Sequence, residues 1–165
     1  MDNQKKQLKQ IKLGKKLDKR KNIECIEPTV FDSGKHISMV NQLFLNEEFE
    51  GFADISKSLK RKLNSYKSQD QKKDRYDLNT FITFDELLEK LVISKLKCSY
   101  CKCTTMLMYE NKREPRQWTL DRIDNYQQHT NKNTIICCLK CNLERRRQND
   151  EKFKFTKQMR LIKKN

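Results

Sequence analysis

The sequence predicts an α+β fold: a small zinc-stapled strand–loop–strand–helix module, with flanking helices and basic, disordered tails. Three observations lead there. Cys98-Ser-Tyr-Cys101 and Cys138-Leu-Lys-Cys141 are two C-x2-C pairs separated by 36 residues. Two residues between thiolates let a turn of backbone aim both sulfurs at one tetrahedral Zn2+, and two such pairs complete a closed four-thiolate site. A capping box, Thr83 with Glu86, heads the apolar spacing Phe84, Leu87, Leu88, Leu91, Val92 and predicts a helix over 84–95. Between the cysteine pairs, β-branched and aromatic runs separated by polar loops predict short strands.

Composition limits how much of the chain packs. Of 165 residues, 35% are hydrophobic and 36% charged, below the apolar share of a wholly globular chain. No run of 18 apolar residues offers a membrane span, and MDNQKKQLKQ lacks the apolar core of a secretory signal. The expected setting is therefore intracellular and reducing: cytosol, nucleus or virion. Seven cysteines, an odd number with six inside 44 residues, favour metal over a disulfide framework.

The net charge of +15 is unevenly placed. Residues 1–22 carry nine Lys/Arg against two Asp/Glu, residues 143–165 nine against three, and the 120 residues between them keep only +2. Two basic ends around a nearly neutral middle predict a polyanion partner, most commonly nucleic acid, with double-stranded DNA the expected form. Lysines without interleaved aromatics imply phosphate attraction that is independent of base sequence. Nothing in the sequence calls for a small-molecule substrate, and oligomeric state is not legible.

Along the chain, 1–22 is a basic tail in which Leu8, Ile11, Leu13 and Leu17 permit a helix that orders on a partner. Residues 23–95 form a mostly helical region without an assignable role. Within it, 23–50 reads as loop or short strands. Residues 53–68 read as a helix burying Ile55, Leu59, Leu63 and Tyr66 and turning Lys57, Lys60, Arg61 and Lys62 outward. Residues 68–77 read as a polar linker or helix extension. Thr104–Tyr109, Trp118–Ile123 and Asn133–Cys137 read as strands, with an exposed loop at Asn111–Gln117 and a helix from Lys140 through Arg147. The end of the chain, 148–165, is a basic helix or tail; a helix over 149–164 would bury Phe153, Met159 and Ile162. In the zinc site, 98/101/138/141 is the preferred register because both halves then share one geometry. Cys103 and Cys137 stand beside those ligands as substitutes. Four thiolates leave zinc no open position, so its work is structural.

The order Cys98-x2-Cys101, Asp121-Arg122, Asn133, Cys138-x2-Cys141-Asn142, with Arg145-Arg146-Arg147 following, resembles the zinc-bound members of the HNH, or ββα-metal, endonuclease family. The likeness covers about residues 96–147 and is closest to the D-R-I-D-N variant common in small phage and virus proteins. It implies a metal-dependent hydrolase of DNA phosphodiesters with little sequence preference. Asp121 and Asn142 would hold a catalytic Mg2+ or Mn2+, and Asn133 would fix the loop carrying the base. Arg145, Arg146 and Arg147 would lie near the DNA backbone. The departure is Arg122, which stands where the family carries its general-base histidine; a guanidinium cannot accept a proton. Three readings stay open. His129, seven residues on, supplies the base; Asp124 assists or ligates metal; or the module binds DNA without cutting it, with Arg122 gripping a phosphate.

Overall fold

A computed structural model describes residues 18–21 and 23–159. The described chain is mixed α+β, with five α-helices and one two-stranded antiparallel sheet. The expectations for Leu8, Ile11, Leu13, Leu17 and Ile162 lie outside the described residues.

Two 3-10 turns, Ile23–Cys25 and Pro28–Phe31, lead into helix α1, His36–Phe44. This differs from the loop or short strands expected there. His36, Met39, Val40 and Leu43 are buried at i, i+3, i+4 and i+7, a helical stripe whose first member is a histidine. His36 earns that place by pairing both ring nitrogens. Nδ1 accepts from the Leu107 N–H (3.1 Å), and Nε2 lies 2.9 Å from the Val30 carbonyl. Helix α2 runs Phe52–Gln71, so the stretch read as polar linker or helix extension begins as helix. It begins at Gly51, whose φ of 89° and a would-be Cβ 2.2 Å from Val30 Cγ1 leave room for no other residue. Its buried stripe is Ile55, Leu59, Leu63, Tyr66 and Asp70. Helix α3, Phe84–Ile93, has both halves of the expected capping box, from Thr83 Oγ1 and the Glu86 carboxylate, worth about 1 kcal/mol to the helix end.

Strands β1 (Trp118–Arg122) and β2 (Thr134–Cys138) pair antiparallel, with Thr119 opposite Cys137 and Asp121 opposite Ile135. The expected strand at Thr104–Tyr109 is reduced to isolated bridges, Lys97 with Thr104 and Met106 with Gln117. The hairpin divides two cores. On one face Trp118, Leu120 and Ile136 join the apolar side chains of α1, α2 and α3. Tyr66 fixes this packing by accepting the Leu120 N–H at 3.0 Å, and Lys62 donates to the Trp118 carbonyl. A second cluster holds Cys98, Tyr100, Cys137, Cys138, Cys141 and Phe153.

Helix α4, Leu139–Arg145, leaves β2 directly, and α5, Asp150–Gln158, follows. Phe153 meets the Tyr100 ring edge-on at 5.0 Å, and Gln158 donates to the carbonyls of Ser99 and Tyr100. The end of the chain is thus docked on the cysteine module through residue 158. Met159, expected to be buried, is 48% exposed. At the other end Arg20 lies over the Tyr109 ring, so the segment assigned to the N-terminal tail is already attached by residue 20. Among the described residues no helix is long and apolar enough to cross a membrane.

Candidate functional site

The four sulfurs of Cys98, Cys101, Cys138 and Cys141 lie within 4.8 Å of one another, and Cys101 and Cys138 are 3.9 Å apart. Tetrahedral zinc with Zn–S near 2.3 Å places sulfurs about 3.8 Å apart, so the group can hold one such metal ion. Local folding aims each pair. Lys102, in the left-handed region at φ 62°, closes a turn in which its N–H reaches the Cys98 carbonyl (3.0 Å) and the Cys98 N–H reaches Cys103 (2.9 Å). Cys138 caps α4, its Sγ accepting the Cys141 N–H at 3.4 Å. A hydrogen bond from the Cys138 thiol lowers the pKa of Cys98 below that of a free thiol. Cys103 and Cys137, the alternative ligands, stand outside the group; the Cys137 sulfur lies 3.2 Å from Thr119 Oγ1 instead.

Asp121 and Asn142 come over the same face of the hairpin. Thr119 and Asp121 alternate onto that face, and Asn142 Nδ2 donates to Thr119 Oγ1 at 3.1 Å. Asp121, however, is buried and fully engaged. Arg145 grips it with two charged bonds, Nε to Oδ2 at 2.6 Å and Nη2 to Oδ1 at 2.9 Å, and the Tyr100 hydroxyl donates to Oδ2 at 2.7 Å. Burial opposes the Arg145 charge, yet the bonds to Asp121 outweigh it and raise its pKa above the ordinary guanidinium value. The residues assigned by resemblance to a catalytic divalent metal therefore do not fit one as arranged: a cation already occupies the carboxylate. Arg145 itself is 0% exposed, which corrects its expected role at the DNA backbone. Its place follows from the helix, since Cys141 and Arg145 share one face at i and i+4.

His129 is not poised over a scissile bond. It is buried, its Nδ1 is 2.7 Å from Asp70 Oδ2, its backbone N–H binds the same oxygen, and its ring lies 4.8 Å from that of Tyr66. Burial, offset in part by Asp70, lowers its pKa. Asp70 Oδ1 accepts from Arg75 (3.0 Å) and Arg122 (3.2 Å), so Arg122 ties the loop after β1 to the end of α2. The partners of His129 and Arg122 therefore come from Asp70, more than 50 residues away, and local spacing carries no trace of them. Asn133 ties the loop together: its Oδ1 accepts from the Asp124 N–H and its Nδ2 donates to the carbonyls of Asp124 and Gln128. Asp124 closes the turn by accepting from the Tyr126 N–H and from Gln127 Nε2.

An open groove of about 1030 Å3 runs beside this loop, between the end of α2 and the end of α4. Lys73, Arg75, Arg122, Arg146 and Arg147 line it against a single carboxylate, Asp124, and Asn142 opens onto it. Among the described residues no ion pair engages Arg146 or Arg147. Arg146 holds an unusual backbone conformation, φ 52° and ψ −105°, of the kind that costs of order 1–3 kcal/mol and clusters at working sites. The chain matches no protein-family model, no curated protein and no solved structure.

Proposed function

We propose that this chain is a zinc-stapled nucleic-acid-binding protein, built on an HNH-like (ββα-metal) module, that grips the sugar–phosphate backbone without hydrolysing it. The observation that carries this reading is Arg145 seated on Asp121, in the place where a hydrolytic metal would need an open carboxylate. The hairpin followed at once by a helix, with a four-cysteine cluster beside it, is the arrangement the resemblance implies. The cationic groove and the excess of +7 and +6 at the two chain ends supply phosphate attraction. Among the described residues, Arg122 stands in the position of the base, His129 is pinned to Asp70, and the groove's carboxylate, Asp124, is engaged by the Tyr126 N–H and Gln127.

A second reading, a metal-dependent DNA endonuclease, is favoured by Asp121 and Asn142 sharing one face of the hairpin. It requires Arg145 to leave Asp121 and admit Mg2+ or Mn2+. Incubating zinc-loaded protein with supercoiled plasmid and either ion separates the two. Salt-sensitive retardation without nicking, weakened by Arg146→Ala/Arg147→Ala, supports the binding reading. Nicking that needs the added ion and disappears in a folded Asp121→Asn variant establishes the second. Neither binding nor cutting overturns both.

A further inference from the structure

We infer that the groove takes single-stranded nucleic acid, with an unpaired base stacked on Tyr126; this rests on the nucleic-acid-binding reading and deepens it. Tyr126 stands at the rim of the groove with 86% of its surface exposed, and Leu143 (59%) and Ile123 (39%) expose apolar surface on the same walls. A groove made only to hold a backbone needs cations; Leu143 and Ile123 gain nothing from phosphate, and Tyr126 could meet it only through its hydroxyl, not its ring. They do fit the face of a base, which a duplex hides inside its stack.

The Tyr126 ring is free, but the chain that carries it is not. Its own N–H is bound to Asp124 Oδ1 at 2.9 Å. Next to it, Asn125 donates to the Arg146 carbonyl at 3.2 Å, and the Asn125 carbonyl accepts from Arg75 at 2.6 Å. The ring is therefore presented on a fixed loop, and a base that stacks on it meets little ordering cost in the backbone. Arg146 and Arg147, which line the same groove, supply the phosphate contacts that hold the strand in register. Tyrosine is also not among the side chains that commonly wedge into a duplex, which are aliphatic, Phe or Pro.

The charge physics makes the test sharp. Phosphate attraction alone favours the duplex, because its charge density is higher. A preference for the single strand must come from contacts to bases. Fluorescence anisotropy on the full chain, with labelled single-stranded DNA, single-stranded RNA and duplex DNA of one mixed sequence, reads this directly. The expected result is tighter binding of a single strand than of the duplex. Tyr126→Ala should weaken single-strand binding roughly 5- to 100-fold, the range of one base–aromatic stack, and Tyr126→Phe should retain it. The slope of log affinity against log salt should stay the same in Tyr126→Ala, since stacking releases no counterions. Comparison of the DNA and RNA strands shows which sugar the groove prefers. Tighter duplex binding that is indifferent to Tyr126→Ala overturns this inference and leaves the phosphate reading standing. Failure to bind any of the three overturns both.

Discussion

Arg145 and Asp121 form a buried pair whose removal should be costly in a predictable way. Arg145 is wholly buried and spends its donors on both Asp121 oxygens and on the carbonyls of Arg122 and Gln148. Asp121→Ala deletes the only carboxylate among the described residues bound to this guanidinium and leaves it stranded, a change that costs about 3–5 kcal/mol. The Tyr100 hydroxyl loses its acceptor in the same step. We expect about 4 kcal/mol in total, because losses inside one network do not add fully. With a urea slope near 2 kcal/mol/M, the midpoint should fall by about 2 M in zinc-saturated protein. Asp121→Asn keeps the shape and should cost about half as much. Replacing both members together, Asp121→Leu with Arg145→Met, should recover stability to within about 1 kcal/mol of wild type. A loss below about 1 kcal/mol in Asp121→Ala would refute the reasoning, since it would mean that Arg145 is not committed to Asp121.

Chelating zinc should abolish the tertiary near-ultraviolet signal of Tyr100 and the hairpin, because folding of the small cysteine core is coupled to metal; an unchanged spectrum in chelator counts against that coupling. Stability should fall as the pH drops from 7 to 5.5. Burial lowers the folded-state pKa of His36 below 6.5, so the unfolded chain binds more protons and the contribution is complete only above 6.5. His129 shifts the same way, and each proton contributes at most about 1.4 kcal/mol per pH unit. His36→Asn, which keeps an acceptor for the Leu107 N–H, should flatten that slope; an unaltered slope in urea titrations would exclude His36 as a source. Arg146→Ala/Arg147→Ala should reduce the salt slope of single-strand binding by about 1.4, and a wild-type slope would remove both residues from the backbone contact.

The parts of the fold written in local spacing were legible. The capping box at Thr83 marks α3, the two C-x2-C pairs mark the metal group, and β-branched runs mark both strands. Helix α1 escaped because its inward stripe opens with His36, a polar residue made core-compatible by Leu107 and Val30 from elsewhere in the chain. The strand expected at Thr104–Tyr109 finds only single bridging partners, so its β-propensity is overridden by tertiary context. At the site, spacing was silent on what Asp121 and Asn142 would touch: Arg145 and Tyr100 hold the first, Thr119 the second. Two signals were present and unused. Arg145 lies four residues after an inward cysteine on the same helix, and Asp70 continues the apolar stripe of α2. Charged residues in buried registers announce internal ion pairs, and both carboxylates here are claimed by arginines. His129 could not have been placed without its partner 59 residues upstream.

The central claim is that four particular sulfurs share one ion and thereby hold the face that carries Arg145 and Asp121. Native mass spectrometry of the purified chain, paired with cysteine alkylation mapped by peptide, measures it most directly. One zinc per chain is expected, with Cys98, Cys101, Cys138 and Cys141 protected until the metal is removed and the exposed Cys25 modified at once. A chain that carries no zinc when supplied with it, or in which any of those four reacts as fast as Cys25, would contradict it.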